Sequence, residues 1–281
     1  MAASTPLVTG SLPDGAAGTG HANFGRLVLA EWTKLRSVRS TYWSLIALLI
    51  VALLFSWLIP FLLVHNWDQA DPSDKASVLG DPIGAIMGSG MYFGQLAIAV
   101  LGVMVTTSEY STGMIRSTLL ASPHRVRMLA AKSVVFTLLS LVIGEIVSFS
   151  AFLIGQQTFK SVLTVSLGEG TNLRQVVGGG LYLGMLGLFA MVIGSLLRHT
   201  AGAITGVVAL LLVVSQVIQL IPGKTGKYLY SYEPTNAGYA IIGRNLPDKF
   251  LLTPWEGYAV FAAWTALLWI LASWILVRRD A

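Results

Sequence analysis

Apolar residues fall in six long blocks along the chain, at about 42–64, 86–105, 134–154, 176–197, 201–221 and 257–277, with short polar stretches between them. A helix needs about 20 apolar residues to cross about 30 Å of hydrocarbon, and each block reaches that length. The pattern predicts an all-α polytopic membrane protein with six transmembrane helices. Only Arg198, His199 and Thr200 separate the fourth block from the fifth. One continuous helix there would far exceed a bilayer, so a tight helical hairpin is expected.

Two further segments are not plain spans. Over 23–39, at 100° per residue, Phe24, Leu27, Val28, Trp32, Leu35 and Val38 share one face, while Arg26, Thr33, Lys34, Arg36 and Ser37 fall elsewhere. This spacing predicts an amphipathic helix lying in the membrane interface, its basic residues toward lipid headgroups. Glu31 projects near the middle of the apolar arc, where a carboxylate needs a partner. Arg116 and Arg125 are the expected candidates. The stretch 223–256 is too long for a plain loop and holds Tyr228, Tyr230, Tyr232, Ile241, Ile242, Phe250 and Trp255. Short helices or re-entrant pieces dipping into one leaflet are expected there.

Charge sets the orientation. The loop after the first block carries Asp68, Asp71, Asp74 and Asp81 against Lys75, whereas the loop after the second carries Arg116, Arg125, Arg127 and Lys132 against Glu109. Lys and Arg accumulate on the cytoplasmic side, so the N-terminus is expected inside. An even number of spans returns Arg278 and Arg279 to the same side, so both termini are expected in the cytoplasm, and the expected location is the cell (plasma) membrane. Residues 1–22, rich in Gly, Ala, Ser, Thr and Pro, read as a disordered cytoplasmic tail. The chain is 54% hydrophobic and only 11% charged, against about 25% charged for soluble domains. The net charge of +5 therefore reads as membrane orientation, not nucleic-acid binding.

Little in the chain carries reaction chemistry. The absence of cysteine removes disulfides, thiolate metal sites and thiol nucleophiles. The four histidines, His21, His65, His124 and His199, lie in the tail and connecting loops with no shared helix face for a metal. Gly223-Lys224-Thr225 looks like the end of a phosphate-binding loop, but Ile218 stands where that loop needs glycine, and no strand precedes it. Neither an enzyme site nor a cofactor is expected in this chain. Glu145 is the one ionisable residue deep inside a span, where a charge costs about 2.5–3.5 kcal/mol or more. It either faces a substrate path or partner helix, or is protonated and hydrogen-bonded to Ser148, Ser140 or a neighbouring span. Gly180-x-x-x-Gly184 and Gly202-x-x-x-Gly206 permit close helix approach.

The most informative stretch is TTSEYSTGMIRSTLLASPHRVRMLAAK, residues 106–132. Gly113 and Pro123 divide it, and Met114 to Leu120 can form two helical turns with Arg116 exposed. In order it presents Glu109, Gly113, Arg116, Leu119, Leu120, Pro123, Arg125 and Lys132. With the six spans, this order resembles the permease subunits of type-2 (ABC-2) ABC exporters. EWTKLRS, with Glu31, Trp32, Lys34, Leu35 and Arg36, is similar to the interfacial elbow helix of that class. The ending Arg278-Arg279-Asp280-Ala281 is similar to its actinobacterial members. The resemblance covers residues 23–281 as one transmembrane domain. It implies a half-transporter in which two permease chains, as a homodimer or in the alternative a heterodimer, sit on two separate ATP-binding subunits that alone bind ATP. The 113–123 segment would be the coupling helix, and Glu109, Gly113, Arg116, Leu119, Pro123 and Arg125 would carry the coupling. The implied cargo is a hydrophobic or amphipathic drug, peptide antibiotic or lipid. The alternative is a stand-alone secondary transporter or channel with ion coupling through Glu145.

Overall fold

A computed structural model describes residues 23–37, 39–114, 125–243 and 250–278. Among them all regular structure is helical. Six helices are long and apolar enough to span a bilayer, the architecture of a multi-pass membrane protein.

The order is α1 (Phe24–Ser37), α2 (Arg39–His65), a short 3₁₀ turn (Trp67–Gln69), α3 (Pro72–Gly80), α4 (Pro82–Ser111), α5 (Arg125–Phe159), α6 (Asn172–Leu197) and α7 (Thr200–Ala209). A π-helical turn (Leu210–Val214) then leads into α8 (Ser215–Gln219), α9 (Gly223–Tyr232), α10 (Pro234–Tyr239) and α11 (Pro254–Arg278). The six spans are α2, α4, α5, α6, the α7–π–α8 unit and α11.

Local chemistry fixes several ends. Proline is tolerated in a first helical turn, where its missing N–H has no partner to lose, and α3, α4, α10 and α11 all begin on one. The Asp81 carboxylate accepts from Gly84 N at 3.1 Å, capping α4. Thr253 and Glu256 form a reciprocal capping box on α11, Glu256 accepting from Thr253 N and Thr253 accepting from Glu256 N. The α6–α7 hairpin turns at Arg198, whose φ of 54° is left-handed, a conformation uncommon for a side-chain-bearing residue. His199 Nδ1 then caps α7 by accepting from Gly202 N at 3.0 Å.

The helices outrun the apolar blocks. The third span, expected over 134–154, is a 35-residue helix, about 52 Å long at 1.5 Å per residue. The second extends from 86–105 to Pro82–Ser111. Hydropathy marks only the lipid-soluble middle, whereas backbone hydrogen bonding continues into polar sequence at each end. The acidic first interhelical loop folds largely into α3.

In the bundle α6 is central, with 72% of its apolar window buried, and α4 follows at 61%, whereas α2 and the α7–α8 unit stand at 22%. Close approach explains the small residues. A Cβ on Gly102 of α4 would meet Gly187 O of α6 at 2.6 Å, and one on Gly144 of α5 would meet Gly180 O of α6 at 2.7 Å. Gly184 likewise packs on Leu141. Gly206 meets nothing within 4 Å and Gly202 meets only its own cap, so the second small-residue motif faces open space.

Candidate functional site

Helix α1 packs against α5 and α2. Its inward face is the stripe Leu27, Val28, Glu31, Lys34 and Leu35, spaced i, i+4, i+7 as a packed helix face must be; Glu31 is buried, and Phe24, Leu29 and Trp32 are exposed. Glu31 is at the centre of the face, as expected, but two parts of the expectation are corrected: Phe24 and Trp32 are exposed, and Lys34 turns into the bundle instead of toward headgroups. Arg36 is exposed.

Among the described residues, Glu31 meets lysines. Lys132 Nζ, two turns into α5, lies 2.5 Å from Glu109 Oε1 and 3.3 Å from Glu31 Oε2. Lys34 Nζ lies 3.7 Å from Glu31 Oε1 and also contacts Glu109 Oε1. The four form a closed ring of alternating charge, Glu31–Lys34–Glu109–Lys132, which joins α1, α4 and α5. Lys34 keeps 23% side-chain exposure, and the other three are buried. Each charge has two opposite neighbours and the sum is zero, so mutual attraction offsets part of the cost of desolvating the buried ions. A cavity of about 70 Å³ adjoins the ring, lined by Leu35, Ser44, Met104 and Ser108 among others; it has room for a few ordered waters.

The expected partner Arg125 serves elsewhere. Its Nη1 donates to Leu276 O of α11 at 3.0 Å. Arg116, Leu119, Leu120 and Pro123 lie outside the described residues, as do Val38, the 1–22 tail and Arg279 to Ala281. Gly113 has φ 71° and follows the end of α4 directly, a left-handed cap that glycine adopts at no steric cost. On the far side of Glu109, the Arg198 guanidinium stands 5.1 Å from the Tyr110 ring centre. The Thr106 hydroxyl donates to Met191 O at 3.1 Å, holding this end of α4 on α6.

The opposite end of the bundle holds polar groups that the sequence pattern did not single out. In the 223–256 stretch, α9 and α10 fold back against α11. Arg174 donates to Ile241 O at 2.6 Å and Gly243 O at 3.1 Å. Gln175 donates to Ile242 O at 2.7 Å and Asp81 Oδ1 at 3.1 Å. These two residues of α6 thus clamp the chain after α10 onto the start of α4. Between the ends, the Tyr182 hydroxyl donates to Gln95 Oε1 at 2.7 Å.

Glu233 is buried before α10, accepting from Asn236 N at 2.7 Å, from the Thr235 hydroxyl at 2.8 Å, and from the hydroxyl of Ser215, just past the π turn, at 3.4 Å. Burial pushes its carboxyl above the ordinary 4.5, and the hydrogen bonds only partly offset this. The buried Tyr239 phenol is pushed up to about 12, by desolvation first and then by the Asp81 charge. A carboxyl whose folded pKa is raised binds its proton more tightly folded than unfolded. Its contribution is therefore most favourable below 4.5, declines as pH rises to the folded value, and is constant beyond it. Thermal unfolding across pH 4–8 in one detergent should show that decline in the wild type relative to Glu233→Gln. Parallel curves for the two proteins would contradict it.

Glu145 of α5 is half-buried at the α6 contact. Neither expected serine reaches it: Ser148 donates to Val176 O, and Ser140 to Phe136 O and Gly184 O. Its buried Oε2 has no hydrogen-bond partner among the described residues.

Compared with protein-family models and with curated proteins, the chain gives no match.

Proposed function

We propose that this chain is the membrane-spanning permease subunit of an ATP-driven type-2 ABC exporter, powered by separate ATP-binding subunits and moving a hydrophobic or amphipathic substrate out of the cell. The observation that carries the reading is the buried ring of Glu31, Lys34, Glu109 and Lys132. It ties α1, read as an interfacial elbow, to the two helix ends that flank residues 112–124. A push on that segment from a cytoplasmic ATPase would then move α1, α4 and α5 together, and the spans would exchange inward- and outward-open packings. In this reading Glu109, Gly113, Arg116, Leu119, Pro123 and Arg125 form the coupling region. Gly202, Gly206, Val213 and Val217 form an exposed stripe on the fifth span, a surface suited to a second permease chain.

The test is co-expression with the ATP-binding subunits of the same genome, one at a time. A stable complex with substrate-stimulated ATPase activity is expected. A monodisperse chain that associates with no ATPase and transports down an ion gradient overturns the reading. The unpartnered Glu145 oxygen favours one second reading, a secondary transporter with ion coupling there, and that outcome would support it.

The orientation in this reading puts the α1 end in the cytoplasm. Ser73 and Thr171, both exposed at the opposite end, should react as cysteines with impermeant thiol reagents on sealed cells. Ser111, exposed beside the ring, should react only after permeabilisation. The reversed pattern would invert the topology.

A further inference from the structure

Near the α1 end of the bundle, α5 and α11 are tied to each other at two levels. Arg125 Nη1 donates to Leu276 O at 3.0 Å, and about two turns further in Trp269 Nε1 donates to Ser133 Oγ at 2.9 Å. Beside the second tie the helices part around a cavity of ≈520 Å³. Ala130 and Val134 of α5 and Ala262 and Ile270 of α11 form its sides, and Met185 and Leu188 of α6 form its back. Val134 and Ile270 are exposed, so the cavity opens sideways, out of the bundle. The hydroxyls among its lining residues are already used: Ser133 donates to Leu129 O at 2.8 Å and Thr265 to Phe261 O at 2.9 Å. Such walls suit hydrocarbon and offer nothing to a polar group.

The charge lies at the level of the first tie. Arg127, two residues past Arg125, is exposed and stands one turn before Ala130. Arg278, two residues past Leu276, is also exposed, and its guanidinium lies 4.1 Å from the ring centre of Trp274, itself exposed one turn beyond Ile270. Neither arginine lines the cavity. Both belong to the helices that form its sides, and at 1.5 Å per residue Arg127 and Trp274 start only about 5–6 Å past its end. Among the described residues no carboxylate is exposed at this end of the bundle, because Glu31 and Glu109 are buried in the ring. The exposed charge here is therefore all positive. An apolar lateral cavity with arginines just past its end is complementary to an acyl chain that ends in an anionic phosphate.

We propose that this face binds an anionic phospholipid of the adjoining leaflet, with its phosphate held by Arg127 and Arg278 and one acyl chain in the cavity between α5, α6 and α11. The occupant is a lipid of the bilayer itself, and its binding needs neither ATP nor a partner subunit. A zwitterionic phospholipid fits the cavity as well, but it brings a headgroup cation to the two arginines. The chain is thus selected by shape and the head by charge, and the two can be tested separately.

The experiment is native mass spectrometry of the purified full chain in maltoside micelles, titrated with dioleoyl phosphatidylglycerol or dioleoyl phosphatidylcholine and read as the one-lipid complex. The wild type should hold phosphatidylglycerol about tenfold or more tightly, the scale of two basic side chains acting on one anionic head. Arg127→Gln/Arg278→Gln should bring phosphatidylglycerol to the phosphatidylcholine level and leave phosphatidylcholine unchanged. Ala266→Trp, which fills the cavity from an exposed position on α11, should weaken both lipids, because it acts on the chain and not on the head. Equal affinity of the wild type for the two lipids would overturn the site and leave the arginines to a protein partner. A preference that survives the double variant, or binding of both lipids that ignores Ala266→Trp, would overturn it as well. If the double variant does not fold, Arg127→Gln and Arg278→Gln singly should each remove part of the preference, and an unchanged preference in both overturns the site. None of these readouts involves an ATPase, so the result is independent of the exporter reading.

Discussion

Lys132→Met is expected to be the most damaging single change in the ring, destabilising the protein by about 3–5 kcal/mol. Lys132 touches both carboxylates, at 2.5 Å and 3.3 Å. Removing it leaves Glu31 and Glu109 buried with Lys34 as the only remaining cation of the ring. Methionine fills nearly the same volume, so the loss is electrostatic and not a cavity. Glu109→Gln should also be costly, because it leaves Lys34 and Lys132 sharing Glu31. The double change Glu109→Gln/Lys132→Met restores neutrality and leaves the Glu31–Lys34 pair. It should therefore cost less than the sum of the two single changes by about 0.5–3 kcal/mol, the coupling range for residues in one ion network. Equilibrium unfolding in mixed micelles measures all four proteins. Additivity within about 0.5 kcal/mol would mean that Glu109 and Lys132 are not coupled and that the ring does not act as a unit.

The parts of the fold legible in the sequence were those written as uninterrupted apolar runs. All six spans were visible because lipid demands a minimum length from each. Their ends were not, because in α4 and α5 the helix continues through residues such as Ser108, Glu109, Arg127 and Lys132, whose polarity says nothing about backbone hydrogen bonding. The ring was half legible. Glu31 on an apolar arc announced that it needs a partner, but the partner comes from another span, and one-dimensional periodicity cannot supply a crossing geometry. Periodicity puts Lys34 on the lipid side, where basic residues near an interface usually snorkel; the buried acids beside it reverse that preference. Glu233 left a fainter signal, an acidic residue directly before Pro234, the pattern of a helix cap, in a stretch whose tyrosines drew the eye. Arg174 and Gln175 gave none, since their partners are main-chain carbonyls. Glu145 was visible by depth alone, and its expected serines were already spent on carbonyls of their own helix and of α6. The two small-residue motifs had the same signature, yet Gly180 and Gly184 pack on α5 while Gly206 faces open space. Spacing shows that close approach is permitted, not whether the neighbour belongs to the same chain.

Arg116→Ala is expected to weaken association with the ATP-binding subunit by about 2 kcal/mol, or about thirtyfold in Kd, and to reduce substrate-stimulated ATPase activity with it. Arg116 lies outside the described residues, so the argument rests on its place in the chain. It follows the left-handed Gly113, which ends α4 next to the ring residue Glu109, and precedes Pro123 and the start of α5 at Arg125. An arginine at such a position can bridge a partner carboxylate with two parallel hydrogen bonds, which alanine cannot replace. In the coupling reading Arg116 faces the partner subunit, and a substitution at such a surface position changes stability by about 0.5 kcal/mol or less. Expression and unfolding in detergent should therefore match the wild type, which separates this variant from Lys132→Met, where assembly and stability fall together. Glu145→Gln is the internal comparison: it should leave ATPase assembly intact. Proteoliposomes carrying wild type, Arg116→Ala or Glu145→Gln, each assayed with and without ATP, decide the matter. Uptake that proceeds without ATP, survives Arg116→Ala and is abolished by Glu145→Gln would replace the exporter with an ion-coupled transporter. Loss of ATP-driven transport in Arg116→Ala with unchanged folding supports a coupling segment that transmits force from the nucleotide subunit into α4, α5 and, through the ring, α1.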